Sequence, residues 1–310
     1  MSSPQLTNTV VMVSPDQFGY NPETAETNVF QNKPQQAAAA LRDAALAEFN
    51  GMVAALRSRG VNVLVLPSRA DVVTPDAVFP NNWFSHHAGG RLALYPMLTP
   101  NRRAERQPQA LASLLAAANI PAGEVLDLSA QEANGQILEG TGSLVLDRAH
   151  KVAFAMASPR TTREAFDAWC AEMGYEGVFF HAYDKDSLPI YHTNVMLSIG
   201  EGFAVCCMET VKDEAERTLL ESKLIAYGRE LIAVTLEQVY AFTANILHVK
   251  NTAGERLIVM SQTAYEAFTD AQKQQLAKYG ELLPVKIDLI EQTGGGSARC
   301  MLAEVFPSNE

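Results

Sequence analysis

Runs of consecutive apolar residues alternate with helix-like stretches along the whole chain. The first run, Val10–Val13, is followed by a polar loop, a helix-like segment from Gln36 to Arg59 and the strand-like run Val61–Leu66. Gly60 stands where a helix C-cap glycine belongs. From there the order strand, strand, helix, strand recurs. Trp83–His87 and Leu92–Tyr95 precede a helix near Arg103–Ala118 and the strand Val125–Leu128. Ser143–Leu146 and Val152–Ala157 precede a helix over Thr162–Met173 and the strand Val178–His181. Val195–Ile199 and Phe203–Met208 precede a helix near Asp213–Tyr227 and the strand Leu231–Val234. Ile246–Val249 and Leu257–Ser261 precede a helix over Ala264–Lys278 and a strand over Val285–Ile290, leaving a short strand at Met301–Phe306.

A unit repeated about every 50 residues points to a solenoid or a propeller. Two strands before each helix, with a spare strand at the end, favour a closed ring. A length of 310 residues alone suggests about two domains. No Gly/Ser-rich or Pro-rich linker interrupts the pattern, so a single domain over residues 1–310 is expected.

The loops that open the units carry polar, chemically capable side chains. Asn28, Asn82, Glu139, His192, Asn245 and Cys300 follow one another at intervals of 53 to 57 residues. Equivalent positions in a ring face a common axis, so a Cys, a His and a Glu would converge there. Cys300 ends Thr293-Gly-Gly-Gly-Ser-Ala-Arg-Cys, where glycines permit close backbone approach and Arg299 favours a thiolate. A buried packing role is the bland alternative for a lone Cys. His192 titrates near neutrality and suits proton shuttling. Glu139, flanked by apolar residues and glycines in Ile137-Leu-Glu-Gly-Thr-Gly, is either functional or held in a buried ion pair or turn.

Composition narrows the partners. With 24 Lys+Arg against 35 Asp+Glu, the net charge of −11 disfavours nucleic acid, whose binding rests on cationic contacts. No apolar stretch approaches membrane-spanning length, and the first residues lack the pattern of a signal peptide. Four cysteines (Cys170, Cys206, Cys207, Cys300) without C-x-x-C spacing suggest reduced thiols and a cytoplasmic setting. Adjacent His86 and His87 diverge on a strand and make a poor metal pair. Neither a phosphate-loop nor a dinucleotide fingerprint accompanies the glycines.

The segments Leu138-Glu139-Gly-Thr-Gly142, His192-Thr-Asn194 and Gly294-Gly-Gly-Ser-Ala-Arg-Cys300-Met resemble those of the guanidino-group-modifying enzymes. That superfamily includes arginine and agmatine deiminases, dimethylargininases and amidinotransferases, and the ordered motifs cover essentially the whole chain. The resemblance implies a five-bladed α/β propeller (pentein) of ββαβ units around a central site, with no metal or organic cofactor. It implies Cys300 as nucleophile, His192 as proton shuttle and Glu139 as substrate acceptor and support for the His. Asn28, Asn82, Asn194, Asn245 and Arg299 are the expected substrate-binding residues, Arg299 holding a substrate carboxylate. The loop over residues 15–31 is either a substrate lid or a long surface connection.

Two departures bear on substrate. Arginine-deiminating members carry a carboxylate in the second-blade loop and an Asp two residues after the His; here Asn82 and Asn194 stand instead. Guanidinium offers only N–H donors, whereas a neutral ureido group also offers a carbonyl, which amides complement. A citrulline-type substrate is therefore expected, resembling the citrulline-utilising hydrolase branch, with release of ornithine, carbon dioxide and ammonia. Dimethylargininase, arginine deiminase and amidinotransferase activities are the alternatives within the superfamily. A non-catalytic binding protein on the same propeller is the alternative outside it. The expected partner is a small guanidino or ureido amino acid, and a homo-oligomer is compatible with the sequence.

Overall fold

Residues 4–307 are described by a computed structural model, in which fifteen strands form five separate three-stranded sheets. The first sheet places β1 (Thr9–Val13) between β15 (Ala303–Val305) and β2 (Asn62–Leu66). The second contains β3 (Phe84–His86), β4 (Leu92–Leu94) and β5 (Val125–Asp127). The third contains β6 (Val145–Asp147), β7 (Val152–Met156) and β8 (Glu176–Phe180). The fourth contains β9 (Leu197–Ile199), β10 (Phe203–Cys206) and β11 (Glu230–Ala233). The fifth contains β12 (Leu247–Lys250), β13 (Arg256–Ser261) and β14 (Glu281–Val285).

In each sheet the middle strand pairs antiparallel with one neighbour and parallel with the other. A parallel pair needs a crossover, and a helix lies in the sequence between every middle strand and its parallel partner. Middle strands are buried on both faces, which is why TVVMV, VAFAM and FAVC are continuous apolar runs. The antiparallel strands pack on one another across blade boundaries: β15 on β3, β6 on β9, β9 on β12. The chain is thus a five-bladed α/β propeller with the antiparallel strand of each blade innermost. Closure comes from β15, which pairs with β1 in the register Val11↔Ala303 and Thr9↔Val305.

Several expected boundaries move. The expected strand over Val285–Ile290 is instead the end of β14 followed by a helix, Asp288–Gly294. Ile287 and Ile290 are fully buried at a helical spacing of three, and Pro284 is tolerated because β14 is an edge strand. The expected helix Ala264–Lys278 is two, Gln262–Ala267 and Asp270–Ala277, because Thr269 and Gln272 form a capping box that starts the second. Likewise Arg103–Ala118 resolves into Pro100–Arg103 and Pro108–Ala117, each begun by its proline. The long helix runs Ala38–Ser58, and Gly60 follows it with φ +79.

Candidate active site

Three inner strands are entered through single helical turns that carry the chemistry. Pro80–Asn82 leads into β3, Gly140–Ser143 into β6 and Thr193–Val195 into β9. Glu139 and His192 are the residues immediately before the second and third turns. The turns pack so closely that a Cβ at Gly142 would lie 2.4 Å from Asn82 Nδ2 and 2.6 Å from His192 Nδ1. Only glycine lets these two side chains meet over the turn. Gly295, with φ +67, ends the Asp288–Gly294 helix in the left-handed conformation; a Cβ there would lie 2.6 Å from Asn28 Nδ2.

His192 Nε2 lies 2.8 Å from Glu139 Oε2, and both side chains are buried. Glu139 Oε1 accepts the Leu98 N–H at 3.0 Å, and Arg160 Nη1 stands 3.6 Å from Oε2. Burial alone would raise the Glu139 carboxyl; Arg160, the His192 hydrogen bond and Arg102 together hold it down at about 2. Burial lowers His192 to about 4 against the opposing pull of Glu139, with Arg160 and Arg102 adding to the fall. The free site therefore pairs a carboxylate with a neutral imidazole. A carboxylate only accepts, so Nε2 carries the ring hydrogen and Nδ1, beside Asn82, is the basic nitrogen.

Cys300 enters from the turn after the glycine run, its N–H donating to Ser297 O at 2.9 Å. Two side-chain amides address its sulfur: Asn245, whose Nδ2 lies at 3.3 Å and whose Oδ1 can accept from the thiol at 3.5 Å, and Asn194 Nδ2 at 3.6 Å. Burial pushes the Cys170 thiol up to about 12 and Cys207 to about 11, and Cys206 further still. All four cysteines are free.

Asn28, Asn82, His192 and Cys300 line one cavity, of about 10 Å³, together with Asp76, Phe79, Arg102, Arg160 and Tyr191. That is room for about one water. Asn28 of the loop over residues 15–31 lines it, and that loop is bonded across to the glycine run. Asn28 Nδ2 and Gln31 Nε2 donate to Gly295 O and Gly294 O at 3.2 and 3.0 Å. Arg160 donates to Thr24 O at 3.1 Å and to Thr27 Oγ1 at 2.8 Å, and Tyr191 OH donates to Gly295 O at 2.5 Å.

Asp76, Arg102, Arg160 and Tyr191 were not singled out from the sequence. Arg102 is buried in a two-bond ion pair with Glu105, and its Nη1 donates to Asn82 Oδ1 at 2.7 Å. Since Arg only donates, this contact fixes which way the Asn82 amide points. Asn82 Nδ2 is buried without a hydrogen-bond partner among the described residues, as is Asp76 Oδ1. Asp76 Oδ2 accepts from Asn21 and Thr24 of the loop, and burial raises its carboxyl. Tyr191 had a local signal in its adjacency to His192; Asp76, Arg102 and Arg160 had none.

Arg299 is placed elsewhere. Its guanidinium is bound to Glu304 Oε2 and Leu302 O, both at 2.8 Å, and it faces a different cavity, on the side of Cys300 where Asn194 lies. Asn245 is fully buried, its Oδ1 accepting the Arg299 N–H at 3.1 Å. No cluster of three or more His, Cys, Asp or Glu among the described residues is arranged to hold a metal, and no helix there is long and apolar enough to cross a membrane.

Over residues 14–307 the sequence matches the family described as N,N dimethylarginine dimethylhydrolase, eukaryotic. The fold is similar to the N-terminal domain of ArgZ, an arginine dihydrolase from the ornithine-ammonia cycle in cyanobacteria, solved with substrate. The TM-score is 0.75 at 16% identity, covering 96% of this chain and 98% of that one. It is similar to AgrE in complex with ornithine and NAD+, with TM-score 0.74 and 19% identity, covering 97% of this chain but 39% of AgrE. It is similar also to a dimethylarginine dimethylaminohydrolase adduct with 4-chloro-2-hydroxymethylpyridine, with TM-score 0.63 and 16% identity, covering 96% and 99% of the two chains. No curated protein sequence matches.

Proposed function

Because the chain belongs to the N,N dimethylarginine dimethylhydrolase family of guanidino-group-modifying hydrolases, we propose that it is a Cys300-dependent hydrolase whose substrate is the neutral ureido amino acid citrulline. The carrying observation is Asn82. Its oxygen is taken by Arg102, so it offers the cavity a donor alone, and that donor is unpartnered among the described residues. A ureido carbonyl supplies the missing acceptor; a guanidinium, all donors, does not.

In this reading the Cys300 thiol gives its proton to His192 Nδ1 and attacks the ureido carbon. Asn82 Nδ2 donates to the oxygen as negative charge gathers on it. His192 returns the proton to the departing δ-nitrogen, ornithine leaves, and a carbamoyl group remains on sulfur. Glu139 supports the imidazolium that forms between these transfers. His192 then draws a proton from water, which releases the carbamoyl group. Asp76 Oδ1 is the acceptor available to a substrate ammonium. Departure and return of the loop over residues 15–31 admits substrate, since the closed cavity is far smaller than an amino acid. A single domain and a cytoplasmic setting accord with the uninterrupted ring and four free thiols.

A guanidino substrate is the second reading, favoured by Asp76 Oδ1 as a free acceptor in the same cavity. Product analysis with citrulline, arginine and dimethylarginine separates the two. Ornithine from citrulline, abolished in Cys300→Ser, is the expected result. Turnover of arginine or dimethylarginine without citrulline would sink the Asn82 argument, and undiminished activity in Cys300→Ser would remove the covalent step.

A further inference from the structure

Along the inner strands, on the far side of Cys300, lies the cavity that Arg299 faces, with a volume of about 30 Å³. That is room for roughly two waters, the scale of a small ion and not of an amino acid. Its charges do not balance. Arg148 Nη2 and Arg299 Nη2 share one carboxylate oxygen, Glu304 Oε2, at 3.4 and 2.8 Å, and all three residues are buried. His87, on the other side of Arg148 at 3.2 Å, is kept neutral by burial and brings no negative charge. A positive charge held out of water without a counter-charge is costly. Two polar atoms of lining residues have no partner among the described residues: Ser198 Oγ, 7% exposed, and Asn194 Oδ1, 1% exposed. Asn194 is also the partition between the cavities, since its Nδ2 lies on the Cys300 sulfur at 3.6 Å.

An anion alone would satisfy the arginines and the Ser198 hydroxyl but would meet Asn194 Oδ1 acceptor to acceptor. A planar carboxylate that also carries an N–H or O–H donor satisfies all of them. We propose that this cavity binds such an anion, and that its ligand in turnover is the carbamate released from Cys300. This rests on the ureido reading above. Water attacks the carbonyl carbon of S-carbamoyl-Cys300, giving one proton to His192; a C–O bond forms and the C–S bond breaks with its electron pair on sulfur. The carbamic acid so formed gives its acid proton to the Cys300 thiolate, which restores the thiol, and His192 releases its proton to solvent; this leaves the carbamate anion, a carboxylate bonded to an amino group. Its oxygens face Arg148 and Arg299, and its N–H faces Asn194 Oδ1. Carbamate thus leaves by the back of the ring while ornithine leaves under the loop.

Bicarbonate is the stable probe, with a hydroxyl in place of the amino group. The test is a titration of 13C-labelled bicarbonate followed by NMR line width, on wild type, Arg148→Met and Ser198→Val, with chloride as control. Arg148→Met leaves Glu304 paired with Arg299. Saturable broadening that equal chloride does not displace, weakened about tenfold or more in both variants, is expected. With citrulline, Ser198→Val lowers kcat at unchanged KM. No saturable broadening in wild type overturns the site, whatever the variants do. Binding lost in Ser198→Val with kcat intact makes the cavity a site for ambient bicarbonate and overturns the product assignment. Line width needs no turnover, so bicarbonate binding without citrulline hydrolysis would overturn the ureido reading and the carbamate assignment while leaving the anion site standing.

Discussion

Arg102 holds Asn82 by its oxygen, Nη1 to Oδ1 at 2.7 Å, and so sets which half of the amide meets the substrate. Asn82→Asp keeps the contact to Arg102 but turns the donor into an acceptor. Citrulline turnover, measured as kcat/KM, is expected to fall by about 100-fold or more, the scale of losing one donor to a developing oxyanion. Activity on arginine relative to citrulline is expected to rise, because a carboxylate complements guanidinium. A loss on both substrates in equal proportion would contradict this.

Gly142 is held by space and not by backbone angle. Gly142→Ala must displace His192 Nδ1 and Asn82 Nδ2, 2.6 and 2.4 Å from the new carbon. A fall in kcat of about 100-fold is expected from an ångström of misplacement at the reacting groups. Gly135→Ala is the control: its φ is +68, and nothing lies within 4 Å of the added carbon. It is expected to cost about 1 kcal/mol of stability with kcat unchanged. Steady-state kinetics beside thermal melts of both variants distinguish the two effects.

Four buried histidines make the fold acid-sensitive. Burial lowers His86, His192 and His248 to about 4 and His87 further. Between pH 6.5 and 4 the unfolded chain binds protons that the folded chain refuses, so the histidine contribution is full above pH 6.5 and falls as pH drops through this window, offset in part by Glu105, which burial raises to about 7. Glu139, held at about 2, extends the loss below its ordinary value of 4.5. Urea unfolding at pH 7, 6, 5 and 4 is expected to show this decline. In His192→Gln the slope between pH 6 and 5 should lessen by about one proton, or about 1.4 kcal/mol per pH unit. An unchanged slope would mean that His192 is already protonated in the folded protein.

Arg160 ties the loop over residues 15–31 to the Glu139–His192 pair, through Thr24 O and Thr27 Oγ1 on one side and Glu139 on the other. Arg160→Met removes these charge-assisted bonds. Amide exchange across residues 21–31 is expected to quicken by about ten- to a hundredfold, with exchange in β7 and β10 unaltered. Acceleration spread over all five sheets would indicate global destabilisation instead.

The ring was legible because its middle strands are long apolar runs and its opening loops recur at intervals of 53 to 57 residues. Regular spacing carries equivalent positions to one axis, and the motifs around Cys300, His192 and Glu139 then single these three out from the asparagines that share it. Arg299 did not follow. Adjacent residues on a turn point to opposite sides, so while Cys300 faces the front cavity Arg299 faces the back one. Arg102, Arg160 and Asp76 escaped because no period governs them. Arg160 and Asp76 come from irregular connections, and Arg102 from the single-turn helix Pro100–Arg103, whose places depend on the packing of neighbouring blades. The helix Asp288–Gly294 was hidden by its brevity, since two turns of apolar residues look the same as a short strand.

Closure by β15 places a constraint on biosynthesis. Cys300 precedes that strand by only three residues, so one short segment both carries this thiol and fastens the ring through β1. A chain synthesised only as far as the glycine run holds four complete sheets and an unpaired β1 edge, with no thiol at the axis. With the role proposed for Cys300, assembly and activation become one event: a growing polypeptide gains its thiol at the axis only as the ring is sealed, and premature termination yields an open product with an exposed sheet edge.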